Sequence, residues 1–189
     1  DFSAPLELSE IEILQIINDF ASACERAEKC GFNGVELHGA NGYLITQFIS
    51  TMTNLRSDHY GGSLENRARF LRSVIQACRK KVSDDFVLGV RLSFEGMGIE
   101  TGLDIDENIA IANWLVEDGI DYIHSSHLQY DATSIKYPET TVVAYLRTHI
   151  SSALPLVITG GIISRTEADK AFNLGADILA IGRSAIGNM

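Results

Sequence analysis

Short apolar runs alternate with longer amphipathic stretches along the 189-residue chain. In the longer stretches the apolar residues recur every three to four positions, which predicts helices. The predicted helices begin at Ser9 and Ser63, span about 106–118 and 139–151, and run from Ser164 to Leu174. The short runs show no polar alternation, which is typical of parallel strands covered on both faces. They predict strands over 34–37, 87–92, 122–125, 156–159 and 178–181.

Alternating strands and helices indicate either an open doubly wound sheet or a (β/α)₈ barrel. The last two strands favour the barrel, because they end at Gly160-Gly161 and Gly182-Arg183. Phosphate sites in such barrels commonly lie after strands seven and eight. Counting back makes the five strands numbers four to eight. We therefore predict one α/β domain over residues 1–189, a partial (β/α)₈ (TIM) barrel that lacks the N-terminal βα units.

Five strands cannot close an eight-stranded barrel, so we expect an unpaired edge at the first and at the last strand. We also expect inward side chains such as Val35, Leu37 and Val90 to face solvent or another chain. This arrangement is compatible with a homo-oligomer.

Composition limits the kinds of partner. The formal net charge is -10 and the pI is near 4.9, which argues against nucleic-acid and anionic-membrane partners. No apolar run reaches the length of a membrane span, and the first residues lack a signal-peptide pattern, so we expect a cytoplasmic protein. Cys24, Cys30 and Cys78 fall in helical patterns without metal-ligand spacing, which favours buried structural thiols. The histidine spacing likewise predicts no metal site.

Polar residues collect where the predicted strands end, and this is where such barrels place their active sites. After His38, the glycines in GANGY allow a tight turn that brings His38, Asn41 and Tyr43 together. His and Asn side chains can donate hydrogen bonds to one carbonyl oxygen, and a phenol can deliver a proton. Taken singly, His38 fits a hydrogen-bonded structural residue and Arg91 fits an ion-pair partner. Their clustering at one edge favours an active site.

The stretch from Gly31 to Leu71, with GANGYL and YGGSLENR inside it, resembles the signature region of the old yellow enzyme family of NAD(P)H-dependent flavin oxidoreductases. The similarity continues through LGVRLS, VITGGI and AIGRSAIGN, so it covers nearly the whole chain. It implies a TIM barrel that binds FMN and takes hydride from NADH or NADPH. It also implies an enone-type substrate, an α,β-unsaturated carbonyl compound whose C=C bond is reduced.

The resemblance also implies roles by position. His38 and Asn41 would hydrogen-bond the substrate carbonyl oxygen, and Tyr43 would give a proton to the α-carbon. Arg91 resembles the arginine beside the flavin pyrimidine edge. The residues that match the FMN phosphate loops are Gly160, Gly161, Gly182 and Arg183. The segment 54–67 is interpreted as a salt-bridged structural loop with Arg56, Asp58, Glu65 and Arg67.

Two alternatives remain at this point. One is a flavin-free phosphate-binding barrel enzyme, and the other is a catalytically inert fragment of the oxidoreductase. In the family the first three βα units supply contacts to the flavin ring, so without them we expect weak FMN binding. The roles of His124, Ser125 and His127 stay open.

Overall fold

The computed structural model describes residues 6–96 and 101–186, which form a five-stranded parallel sheet with helices. The strands are β1 (Gly34–Gly39), β2 (Val87–Leu92), β3 (Tyr122–Ser125), β4 (Leu156–Thr159) and β5 (Ile178–Ala180). The helices are α1 (Glu10–Lys29), α2 (Leu44–Ile49), α3 (Leu64–Arg79), α4 (Ile105–Glu117), α5 (Val142–His149), α6 (Arg165–Asn173) and α7 (Arg183–Ile186).

Each strand pairs in parallel with its sequence neighbour, in the order β1-β2-β3-β4-β5. A doubly wound sheet reverses its strand order at a switch point, whereas consecutive units of a (β/α)₈ barrel do not. The predicted bounds agree with the structure for β2, β3 and β4. Strand β1 runs two residues further than predicted, to Gly39, and β5 ends one residue earlier, at Ala180.

Side-chain caps begin the helices where the sequence predicts them. Ser9 and Ser164 each accept a hydrogen bond from the glutamate amide three residues on, and the glutamate side chain bonds back. Helix α5 starts three residues later than predicted, because Thr141 caps it by accepting from the Ala144 amide. The six-residue helix α2 was not predicted.

The two faces of the sheet differ in character. Leu37, Val90 and Ile123 lie in register on one face and are buried against the helices. The opposite face, which we call the polar face, carries Glu36, His38, Gly89, Arg91, Tyr122, His124, Val157, Thr159 and Ile178. Ile178, on the edge strand β5, is 51% exposed there. In a closed barrel this face would be the interior.

The expectation that Leu37 and Val90 face solvent or another chain is wrong. Val90 is 0% and Leu37 4% exposed, and Val35 packs partly buried against the same core. Side chains alternate along a strand, and these three share the helix-covered face. The polar face carries Glu36, His38 and their neighbours instead.

The segment 54–67 is held by ion pairs, as predicted, but with one different partner. Arg56 pairs with Asp58 at 2.5 Å. The buried Arg67 pairs with Glu107 of α4 at 2.7 Å, not with Glu65. Backbone and Ser63 hydrogen bonds at the start of α3 lower the pKa of Glu65. Glu107 lies 40 positions from Arg67 in sequence, so only the packing of α4 brings it near.

The cysteine prediction is right for two thiols and wrong for the third. Cys24 and Cys78 are buried with their Sγ atoms 3.3 Å apart, while Cys30 is exposed at the end of α1. In the described parts of the chain no group of His, Cys, Asp and Glu could hold a metal ion. No helix there has the length and apolar character needed to cross a bilayer.

We expect the 189-residue chain alone to self-associate, because β1 and β5 each pair with only one described strand. Ile178→Lys should shift the population toward monomer, because a charge on an edge strand opposes strand pairing. The measurement is gel filtration with light scattering. Ile11→Lys is the matched control, since Ile11 is 80% exposed but lies on α1. A monomeric unsubstituted chain would contradict the prediction.

Candidate active site

The turn between β1 and α2 brings the three predicted catalytic residues together. Asn41 has φ 61° and Gly42 φ 76°, so two successive residues adopt the left-handed conformation and reverse the chain. Asparagine tolerates this region better than most side chains. The rings of His38 and Tyr43 lie 5.2 Å apart between centroids, at 52°. Tyr43 is 61% exposed and has no side-chain capping bond at the start of α2.

Arg91 lies beside His38, because the two residues are in register on β1 and β2. Its Nη2 donates to Ser126 Oγ at 2.8 Å, and Ser126 Oγ lies 3.2 Å from Asn41 Oδ1. Its Nε is buried and has no hydrogen-bond partner among the described residues. Arg91 therefore contacts the turn through Ser126 and keeps one donor unused.

A cavity of about 230 Å³ lies at the carboxyl ends of β4 and β5. All five predicted cofactor residues line it, namely Arg91, Gly160, Gly161, Gly182 and Arg183. No Asp or Glu does so among the described residues, although the chain as a whole carries a charge of -10. Arg183 is exposed and its side chain pairs with no described residue. The cavity is therefore locally cationic and suits an anionic group.

The cavity glycines are required for different reasons. Gly160 and Gly161 have φ 120° and 66°, and a Cβ at these positions would lie 2.6 Å from the His127 carbonyl and 2.0 Å from Gln129 Oε1. Backbone of the loop after β3 thus excludes a side chain at Gly160, whereas at Gly161 the Gln129 side chain could move aside and the positive φ is what favours glycine. A Cβ at Gly182 would meet no atom within 4 Å. No contact with the described residues therefore requires a glycine at position 182.

A second polar cluster lies on the same face and was not predicted. His124 Nδ1 lies 2.9 Å and 3.1 Å from the two Glu36 oxygens, and the Tyr122 hydroxyl donates to Glu36 at 3.1 Å. Burial would raise the pKa of Glu36, but the hydrogen bond and charge of His124 outweigh it, so the pKa is lowered. His124 Nε2 is buried without a partner in the described structure. Glu36 was not predicted as a site residue, because it lies within the apolar run that predicts β1. A charged residue inside such a run was the signal that could have indicated a polar group on the sheet face.

His127 forms part of the cavity wall as a neutral imidazole. Ser125 Oγ lies 2.6 Å from its Nε2. Burial, and then the nearby His124, lower the pKa of His127 to about 4. At neutral pH the ring is therefore uncharged, and one of its two nitrogens carries the single proton.

The chain matches known proteins along nearly its whole length. The family model for the NADH:flavin oxidoreductase / NADH oxidase family matches residues 2–189. An NADPH dehydrogenase of Clostridium acetobutylicum is 37% identical over 97% of this chain and 55% of its own length. The old yellow enzyme homologue from Zymomonas mobilis superposes with a TM-score of 0.77 at 30% identity, over 99% of this chain and 54% of that one.

Morphinone reductase, solved in complex with tetrahydroNAD, superposes with a TM-score of 0.73 at 34% identity, over 96% of this chain and 48% of its own. The chain spans 19% to 55% of the length of the curated relatives compared with it. The resemblance to the old yellow enzyme family and the partial (β/α)₈ barrel are confirmed. The matched family is FMN-dependent and uses NADH or NADPH as its reductant.

We expect His127 to make the protein less stable at acid pH. Its folded pKa of about 4 lies below the ordinary value of 6.5, so both states are neutral above pH 6.5. As pH falls toward 4, the unfolded chain gains a proton that the folded chain does not, and stability is lost. Between pH 7 and pH 5 the loss should be about 2 kcal/mol.

Urea unfolding of the unsubstituted protein and of His127→Gln at both pH values isolates this contribution. Glutamine keeps a hydrogen-bonding group for Ser125 but does not titrate. Between pH 7 and pH 5 the variant should therefore lose about 2 kcal/mol less stability than the unsubstituted protein. Equal losses in the two proteins would contradict the prediction.

Proposed function

Because the chain belongs to the NADH:flavin oxidoreductase / NADH oxidase family, we propose that it is part of an FMN-dependent ene-reductase. The enzyme would use NADH or NADPH to reduce the C=C bond of α,β-unsaturated carbonyl compounds. We propose further that residues 1–189 form one partial-barrel domain of that enzyme. Residues 1–5, 97–100 and 187–189, including the last two letters of AIGRSAIGN, lie outside the described structure.

The position of Arg91 is the observation that carries the proposal. Arg91 lines the cationic cavity and is also joined through Ser126 to Asn41 of the catalytic turn. A cofactor held by the cavity would therefore lie beside the residues that hold the substrate. Proximity of this kind is what an enzyme needs to bring two reactants together.

The described residues fit FMN at its phosphate end. The cavity offers two arginines and no carboxylate, and Arg91 Nε is a buried donor without a described partner. At about 230 Å³ the cavity is smaller than the roughly 300–1,000 Å³ of a whole ligand pocket, so it suits only part of the molecule. Arg183, Gly160, Gly161 and Gly182 would hold the phosphate. Arg91 would place a cation beside the flavin.

FMN, when bound, supplies hydride-transfer chemistry to the site. His38 and Asn41 would donate hydrogen bonds to the substrate carbonyl oxygen, which becomes more negative as the β-carbon accepts hydride. The Tyr43 hydroxyl would hold the proton that the α-carbon receives, which completes the saturated bond. The exposure of Tyr43 fits this role, because its hydroxyl can be reprotonated from water.

The flavin-free alternative rested on the phosphate loops alone. It loses support because the family that matches residues 2–189 uses FMN. Flavin absorbance of the purified protein distinguishes the proposed enzyme from an inert fragment.

We expect Gly182→Ala to weaken FMN binding by about tenfold, or about 1.4 kcal/mol. The added methyl group would occupy cavity space that the phosphate needs, whereas it meets no described atom of the protein within 4 Å. The unfolding midpoint should therefore stay unchanged and serves as the internal control. FMN fluorescence titration measures the affinity, and an unchanged dissociation constant would place the phosphate elsewhere.

We expect Tyr43→Phe in the full-length protein to slow enone reduction by about 10²–10⁴-fold, because general acid catalysis contributes on this scale. Reduction of the flavin by NADH or NADPH should change little, since that half-reaction needs no phenol proton. Stopped-flow absorbance follows the two half-reactions separately. An equal loss in both would remove Tyr43 from the proton-transfer role.

A further inference from the structure

We propose that Ser126 is a positioning residue that orients the Asn41 amide toward the substrate carbonyl oxygen through a hydrogen-bonded relay from Arg91. The relay consists of Arg91, Ser126 and Asn41. The inference rests on the proposed function, because it assigns a role within that site. Ser126 belongs to none of the sequence motifs described above, and it directly follows the end of β3.

The chemistry of the three groups sets the direction of each bond. A guanidinium can only donate, so Arg91 Nη2 donates to Ser126 Oγ over 2.8 Å. The single proton of Ser126 is then free to go to Asn41 Oδ1, 3.2 Å away. If the amide were flipped, its NH₂ group would face Ser126 and the serine proton would lack this acceptor. The relay therefore favours the amide orientation in which both N–H groups point away from Ser126.

The backbone of Asn41 is held from the neighbouring strand as well. Its amide N–H donates to Ser93 Oγ at 3.1 Å, and Ser93 follows directly after β2. Its φ of 61° is uncommon for a residue other than glycine. Ser93 thus holds the backbone, and Ser126 determines which end of the side-chain amide is presented.

The orientation of the Asn41 amide matters because its oxygen accepts hydrogen bonds whereas its nitrogen donates them. The terminal torsion of asparagine has two broad preferences, so an unrestrained amide turns its oxygen as well as its nitrogen toward a ligand. An oxygen facing a carbonyl or a phenolate would repel it. The bond from Arg91 is charge-assisted, which makes the serine a firmer anchor than a neutral hydroxyl alone.

The test uses the full-length protein loaded with FMN and phenol as the probe, because a phenolate oxygen resembles the charged carbonyl oxygen. Isothermal titration calorimetry gives the affinity, corrected for the flavin content of each preparation. We expect Asn41→Ala to weaken phenol binding by about tenfold and Ser126→Ala by about fivefold. Ser126→Thr keeps the hydroxyl and should bind phenol like the unsubstituted protein.

The double variant is decisive. If Ser126 acts only through Asn41, adding Ser126→Ala to Asn41→Ala should cause no further loss of phenol affinity. Additive losses would overturn the relay but not the proposed carbonyl site. The same holds if Ser126→Ala binds phenol normally while Asn41→Ala does not. Unchanged phenol affinity in both Asn41→Ala and His38→Ala would overturn the proposed carbonyl site and the relay with it.

Discussion

The parallel register of β1, β2 and β3 places His38, Arg91 and His124 side by side on one face of the sheet. A shift of one residue in either pairing would turn every side chain of a strand to the opposite face. His38 would then enter the helix-packed core, and Leu37 would take its place. Burial of Leu37, Val90 and Ile123 opposes such a shift, so the apolar core holds the polar residues in position.

The polar face tolerates its charged groups because they are paired across strands. Glu36 on β1 bonds to His124 and Tyr122 on β3, spanning the intervening Gly89 of β2. A Cβ at Gly89 would lie 2.0 Å from the Tyr122 ring, so the glycine leaves room for this bridge. Buried polar groups are costly unless they have such partners. Among the described residues, Arg91 Nε and His124 Nε2 lack such partners, so both are available to hydrogen-bond a bound molecule.

The loop after β3 connects the two halves of the site. Ser126 contacts the turn after β1, His127 lines the cavity, and the loop packs closely over Gly160 and Gly161. Further along, the buried Glu95 accepts hydrogen bonds from Ser134 Oγ and from the amides of residues 135 and 136. These bonds hold the loop on the carboxyl side of the sheet. The loop therefore limits how far the turn and the cavity can move relative to each other.

Much of the fold and of the candidate site follows from the sequence by itself. Strand and helix positions could be predicted because apolar spacing and caps such as Ser9 and Ser164 act over a few residues. The turn residues, Arg91 and the cavity glycines could be predicted because they stand at strand ends or carry a specific motif. Tertiary structure alone decided which sheet face Val90 and Leu37 occupy, and that Arg67 pairs with Glu107. It alone joined Ser126 to Asn41, 85 positions apart. Contacts between distant segments depend on register and packing, which local sequence patterns do not encode.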